Sequence, residues 1–193
     1  MATTEEIKAL RDETGVSIMQ CKKALEEAGG DREKAKVILR KHASASASKK
    51  ADRALGAGIA AAYTHAGGQV LAAVILACET DFVSRNPEFQ TLARDIAMQV
   101  AAMDPQFIAR ENVKESDLAK AREVFEEEAV NIAEANRMKA IEGKLDAFIR
   151  EKILLEQPFV KDPSFTIREL IDSGVQKFGE KIAVVRFERL SVQ

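Results

Sequence analysis

Several features that would place a chain in a special class are scarce or missing here. The 193 residues carry a formal net charge of −2, which argues against binding nucleic acid by neutralising its phosphates. The longest apolar run has nine residues, well short of the roughly 20 that a membrane helix needs. The first residues, Met1–Glu6, lack the basic and apolar regions of a signal peptide. We therefore expect a cytoplasmic protein that binds neither nucleic acid directly nor a membrane.

The two cysteines and two histidines also limit the chemistry. Cys21 and Cys78 have no paired spacing, which predicts reduced thiols and no metal site. His65 and Cys78 would lie at opposite ends of a hairpin, about 26 Å apart at roughly 3.3 Å per residue, too far for a catalytic dyad. The sequence has no Gly-x-x-x-x-Gly-Lys motif that would cradle a phosphate. We expect no enzyme active site, no cofactor and no nucleotide bound by this chain itself.

Residues 1–42 show the pattern of three short helices. Thr3 and Glu6 form a capping box at the start of the first helix. The glycine pair at 29–30 ends the second helix, and Asp31 caps the third. The apolar stripe predicted for the second helix consists of Ile18, Cys21, Ala24 and Leu25. We interpret this segment as a compact module of the ubiquitin-associated (UBA) type, a fold that usually binds other proteins.

A change of composition separates this module from the rest of the chain. Residues 43–52 alternate alanine and serine and then become basic, a composition that supplies no core of its own, so residues 43–55 are predicted to be a linker. Residues 56–193 form the predicted core domain. Within it, a long helical stretch from Asp117 to about Ile141 is predicted to be interrupted at Gly143 and then to resume.

The core domain is predicted to be α+β, a three-stranded antiparallel sheet with helices packed on one face. Gly67–Gly68 is a plausible hairpin turn between two apolar runs, and a third run lies near the end of the chain. Val70–Cys78 does not alternate between apolar and polar residues, which predicts that both of its faces are covered. The helix Pro87–Met103 can cover one face, and the other needs a second layer. The predicted strands are Ile59–His65, Val70–Cys78 and Lys181–Leu190.

A short polar segment joins the buried strand that ends at Cys78 to the helix that begins at Pro87, which Asn86 can cap. Phe82 lies in the middle of this connection, where large apolar side chains are unusual. The ring could pack back onto its own core. Alternatively, it could project as an anchor for a partner's pocket, because aromatic anchors dominate the binding energy of interfaces. The chemistry of these residues leaves both interpretations open.

Three separated segments resemble those of one family, bacterial translation elongation factor Ts. The motif Thr-Asp-Phe-Val at 80–83, followed by Ser-Arg-Asn at 84–86, resembles the family signature. The amino-terminal run that begins Leu-Arg-x-x-Thr-Gly at residue 10 and continues Ile-Met-x-Cys-Lys-Lys-Ala-Leu at residue 18 resembles a second signature, and 154–162 a third. Family members usually read Glu-x-Asn-Cys before the loop, where this chain has Ile-Leu-Ala-Cys at 75–78.

The resemblance implies a guanine-nucleotide exchange factor that releases GDP from elongation factor Tu by disturbing its Mg²⁺ and phosphate site. Phe82 would enter a gap between helices of the partner's GTP-binding domain, and the amino-terminal module would contact the same domain. For Ile18 and Met19, ordinary helix core remains an alternative. The partner-binding residues implied by the resemblance are Thr80, Asp81, Phe82 and Val83 in the loop, and Arg11, Ile18 and Met19 in the module.

Longer family members carry a second, similar half of the core, whereas this chain has one. Two copies packed sheet to sheet would cover the apolar face of Val70–Cys78, so we expect a homodimer. An alternative from a different functional class is a non-catalytic interaction scaffold whose UBA-like module binds ubiquitin-like or helical partners. Release of fluorescent GDP from elongation factor Tu would distinguish the two hypotheses.

Overall fold

The computed structural model describes residues 2–130 and 132–192, and in these residues it confirms the α+β class and the three-stranded antiparallel sheet with packed helices. None of the helices in this described part is both long and apolar enough to cross a membrane. The helices are α1 (Thr4–Thr14), α2 (Ile18–Glu27), α3 (Arg32–Lys49), α4 (Asp81–Ser84), α5 (Pro87–Met103), α6 (Glu115–Glu128), α7 (Glu134–Lys152) and α8 (Ile167–Phe178). The strands are β1 (Ala57–His65), β2 (Val70–Cys78), β3 (Pro158–Phe159), β4 (Asp162–Thr166) and β5 (Ile182–Ser191). The short helix α4 and the strand pair β3–β4 were not predicted.

The first three helices enclose a small core of their own, and local sequence signals set their ends. The Thr3 and Glu6 side chains exchange hydrogen bonds with each other's backbone N–H groups, forming the predicted capping box. Cys21, Ala24 and Leu25 of α2 are buried, as predicted. Ile18, which we placed on the same stripe, is instead 59% exposed. It is the first residue of α2, so its side chain stands at the end of the helix, outside this core.

The alanine–serine segment that we interpreted as the start of a linker continues α3 to Lys49. Ala43 is buried and Ala47 packs against the core domain. Alanine is the strongest helix former, and its small side chain allows α3 to approach α8 closely. The Arg40 guanidinium strengthens this junction because it lies 4.4 Å from the centroid of the Phe165 ring and donates a hydrogen bond to the backbone oxygen of Ser164. The module is therefore packed against the core domain rather than tethered by a loose segment.

The main sheet has the strand order β1-β2-β5, with both pairs antiparallel. Burial alternates from Leu71 to Leu76 of β2 even though the sequence does not, because alternate side chains point to opposite faces, and Ala77 and Cys78 at the end of the strand are both buried. The inner face packs against α5, whose Phe89, Ile96 and Val100 are fully buried. On the outer face Leu71 and Ile75 are 38% and 42% exposed, and no element of the described residues covers them.

The long helical stretch is an antiparallel pair, α6 and α7, with its break between Glu128 and Glu134. Our prediction of an interruption at Gly143 was wrong, since this residue lies inside α7 with open space around it. A glycine at an exposed helical position costs about 1 kcal/mol relative to alanine, which packing can offset. That packing comes from the Phe125 and Phe148 rings, which meet edge to face at 6.1 Å, and from the buried residues Ala129, Ile141 and Leu145.

Candidate partner-binding site

The predicted loop after β2 contains a single helical turn, α4, between two caps. Thr80 has an extended backbone, with φ −127° and ψ 158°, and its oxygen accepts a hydrogen bond from the N–H of Ser84. The N–H of Asn86 then closes the turn on the oxygen of Val83. The Asn86 side chain accepts a hydrogen bond from the N–H of Glu88, 2.9 Å away, and so starts α5 as predicted. The turn is thus held at both ends by the elements that flank it.

Two neighbouring side chains on this turn point in opposite directions. Val83 is 3% exposed and belongs to the main hydrophobic core, whereas Phe82 is 82% exposed. The ring of Phe82 therefore does not pack back onto its own core. Val83, which the resemblance placed among the contact residues, faces inward and contributes by anchoring the turn. An exposed aromatic ring beside a buried anchor is suited to insertion into another molecule's pocket.

An exposed ion pair lies on the same helical turn as Phe82. Asp81 and Arg85, one turn apart, form an ion pair of 3.0 Å with side chains 69% and 81% exposed. Such an exposed pair contributes little to stability, about 0–1 kcal/mol. Both groups are therefore available to rearrange toward a partner. The polar contact that the resemblance implies for Asp81 stays a prediction.

The backbone beneath the turn is held by groups that the sequence did not reveal. The carboxylate of Glu180 accepts hydrogen bonds from the N–H of Glu79 and from both the N–H and the hydroxyl of Thr80. The Cys78 thiol donates to the Thr80 oxygen at 3.2 Å. Burial raises the pKa of this thiol, and the negative charge of Glu180 adds to the rise, so the thiol keeps the proton that it donates. About a hundred residues separate Glu180 from Thr80, and no local motif signals that contact.

The implied contact residues of the module form a second exposed group. Arg11 lies in the last turn of α1 and its side chain is 54% exposed, 3.4 Å from Asp12. Ile18 and Met19, which begin α2, are 59% and 63% exposed. The alternative that these two residues are helix core does not agree with the structure. The module thus presents a cation and two apolar side chains to solvent, on a different domain from the loop.

Comparison with known proteins gives a consistent result. The family model for elongation factor TS matches residues 45–193. The elongation factor Ts of Carboxydothermus hydrogenoformans is 44% identical over 194 residues, covering 100% of this chain and 89% of the relative. That of Moorella thermoacetica is also 44% identical, with coverages of 100% and 96%. The Coprothermobacter proteolyticus protein is 45% identical over 185 residues, covering 95% of this chain and 94% of its own length. This chain therefore belongs to the elongation factor Ts family.

Proposed function

We propose that this protein is the guanine-nucleotide exchange factor for elongation factor Tu and acts in the cytoplasm on the GDP-bound and nucleotide-free forms of its partner. Membership of the family supports elongation factor Tu as the partner. The observation that carries the proposal is the 82% exposure of Phe82 on a turn whose next residue is buried in the core. The protein acts by binding alone, as a non-catalytic protein that breaks no covalent bond.

The mechanism is a competition between two ligands of the same GTPase. A GTPase holds its nucleotide through phosphate contacts and a bridging Mg²⁺. Phe82 enters the GTP-binding domain and shifts the elements that hold these groups, while Asp81 makes a polar contact nearby. Linkage requires the factor and GDP to weaken each other's binding by the same ratio. The factor therefore binds the nucleotide-free partner more tightly than the GDP complex.

The free energy available from burying Phe82 is too small to account for a large acceleration of GDP release on its own. Complete burial of one phenylalanine contributes about 1.5–3 kcal/mol. Each tenfold increase in the release rate requires about 1.4 kcal/mol. The ring alone can therefore account for at most about two decades of acceleration. Additional binding energy must come from another surface, and the exposed Arg11, Ile18 and Met19 of the module can provide it.

The direct test is the release of a fluorescent GDP from purified elongation factor Tu after mixing with excess unlabelled GDP. Addition of this protein is expected to accelerate the release in a saturable manner. An unchanged release rate, measured at concentrations where the two proteins bind, would favour the interaction scaffold instead. Failure of the two proteins to bind at all would reject the partner.

Arg11→Ala is expected to weaken association with elongation factor Tu by about three- to tenfold while leaving the maximal release rate unchanged, since a single peripheral contact contributes about 1 kcal/mol. Titration of the release rate against factor concentration separates the two quantities. Arg122→Ala, on the exposed surface of α6, removes a similar charge away from the module and serves as the control. Equal association constants for the two variants would contradict a contact at Arg11.

We further propose that two copies of this chain pair through the outer face of the sheet. Leu71, Ile75 and Leu190 are exposed there, and the last is 63% exposed. Ile75 occupies a position where the family usually has glutamate, so this face is more apolar than the family pattern. Two such faces can stack at about 10 Å and remove these side chains from water.

Ile75→Glu is expected to raise the dissociation constant of the dimer by at least about a hundredfold, because an unpaired buried charge costs about 3 kcal/mol or more. Sedimentation velocity over a range of concentrations measures the change. Val124→Glu introduces the same charge at a 51% exposed site on α6 and should leave the association unchanged. Sedimentation of the native protein as a monomer at micromolar concentration would remove this part of the proposal.

A further inference from the structure

Glu79, just after β2, and Glu180, in the connection from α8 to β5, each use a carboxylate to bind the backbone of the other segment. Glu180 accepts hydrogen bonds from the N–H groups of Glu79 and Thr80 at 3.1 and 3.0 Å, and from the Thr80 hydroxyl at 2.5 Å. In return, the Glu79 carboxylate accepts a hydrogen bond from the N–H of Lys181 at 2.6 Å. This N–H is the largest cause of the lowered pKa of Glu79, and the Arg53 guanidinium, 3.2 Å away, lowers it further.

The register of the sheet places these two segments side by side. Cys78 pairs with Ile182 at the last position of the β2–β5 ladder, so the residues just beyond each strand lie side by side. Gly179 ends α8 in the left-handed conformation, with φ 75°, which redirects the chain immediately before Glu180. The two carboxylates then satisfy backbone N–H groups that lie beyond the end of the ladder, which is where peptide groups would otherwise need water as a partner.

These contacts fix the residue from which the exposed turn starts. The N–H and hydroxyl of Thr80 are bound to Glu180, and its oxygen accepts hydrogen bonds from Cys78 and Ser84. α4 is only four residues long, and a helix of that length does not persist on its own in water. Its direction therefore depends on the groups that hold its first residue. Phe82 stands two residues beyond Thr80, so any rotation of this cap is transmitted to the ring.

We propose that Glu180 is a positioning residue for nucleotide exchange: it fixes the Thr80 cap so that α4 presents Phe82 to the partner in a productive orientation. This inference rests on the proposed exchange function. Glu180 acts through Phe82, so its loss affects the rate of GDP release from the bound complex more than the association itself. The contacts of Arg11 and its neighbours in the module remain intact and still support binding.

Glu180→Ala is expected to lower the maximal rate of stimulated GDP release by about five- to twentyfold, with less than a twofold change in the half-saturating concentration, since one charge-assisted hydrogen-bond group contributes about 1–2 kcal/mol here. Thr80→Val should produce part of the same loss, and Thr80→Ser, which keeps the hydroxyl, should restore most of the rate. Glu142→Ala, at an exposed glutamate on α7, is the matched control and should stimulate GDP release from elongation factor Tu at the native rate.

The decisive comparison is made in a Phe82→Ala background. If Glu180 acts through the ring, Glu180→Ala should cause no further loss once the ring is absent. An equal loss in both backgrounds would show that Glu180 acts independently of Phe82 and would overturn the proposal. A thermal melt followed by circular dichroism confirms that each variant is folded at the assay temperature.

Amide hydrogen exchange of the free protein separates this inference from the proposed function. Glu180→Ala should accelerate exchange of the Glu79 and Thr80 amides, which donate to Glu180, and of the Ser84 and Arg85 amides, which close α4. It should leave α5 unchanged, in an experiment that needs no partner. Unaltered exchange at these residues would overturn the positioning role, whatever the GDP assay shows. If Phe82→Ala stimulates GDP release at the native rate, the proposed mechanism of nucleotide exchange fails. Amide hydrogen exchange alone then tests whether Glu180 orders the turn.

Discussion

Phe82→Ala is expected to slow stimulated GDP release by about ten- to a hundredfold, because alanine forfeits the 1.5–3 kcal/mol that burial of the ring contributes. The substitution should leave the fold unchanged, since the side chain is 82% exposed and outside the core. Stopped-flow fluorescence of labelled GDP measures the maximal rate, and a thermal melt measures stability. The expected result is therefore a large kinetic defect at an unchanged melting temperature.

The control for this experiment must remove an equally exposed apolar side chain elsewhere. Met138 on α7 is 70% exposed, and Met138→Ala should leave both the release rate and the melting temperature unaltered. Phe82→Leu keeps an apolar group of smaller area and should give an intermediate rate. A native release rate for Phe82→Ala would remove the inserted ring from the mechanism, and a lowered melting temperature would show that the ring supports its own fold.

The bounds of β2 and α5 could be predicted from the sequence because their signals are local. An uninterrupted apolar run defines Val70–Cys78, and the Asn86–Pro87 pair defines the start of α5, in agreement with the structure. The end of α8 at Gly179 is equally local, because glycine adopts the left-handed conformation at φ 75° without steric cost. In each case the residues that determine the boundary lie within one turn of it.

Other features depend on contacts between residues that are far apart in the sequence. The alanine–serine segment that contains Ala43 and Ala47 has the composition of a linker, yet it continues α3, and the packing of α3 against α8 depends on residues more than a hundred positions away. The pair α6–α7 turns before Gly143 because its buried side chains match across the two helices. At the site, the opposite directions of Phe82 and Val83 follow from the helical turn, which is held in part by Glu180 about a hundred residues away. The exposed ring is thus encoded locally, but its orientation is not.

A second large effect is expected in the core, where two buried glutamines join α5 to the segment that follows α7. Gln99 and Gln157 are 0% and 1% exposed. The Gln99 amide nitrogen donates to the Gln157 side-chain oxygen and to the Pro158 backbone oxygen, both at 3.1 Å, and its oxygen accepts from the N–H of Val160 at 2.9 Å. All of these groups are satisfied within the protein, as buried polar groups require.

Gln99→Leu is expected to lower the free energy of unfolding by about 2–5 kcal/mol, because the buried Gln157 oxygen left without its partner costs about 1–3 kcal/mol and each lost part-buried bond to Pro158 or Val160 costs about 0.5–1.5 kcal/mol. Leucine has nearly the same volume, so the loss reflects the missing hydrogen bonds rather than a cavity. Urea unfolding at one fixed protein concentration measures the effect, and Gln106→Leu, at an exposed residue, is the control. An unchanged urea midpoint for Gln99→Leu would mean that α5 is held by apolar packing alone. If the expected loss occurs while folded Gln99→Leu still stimulates GDP release at the native maximal rate, the glutamine pair stabilises the scaffold and does not orient the ring.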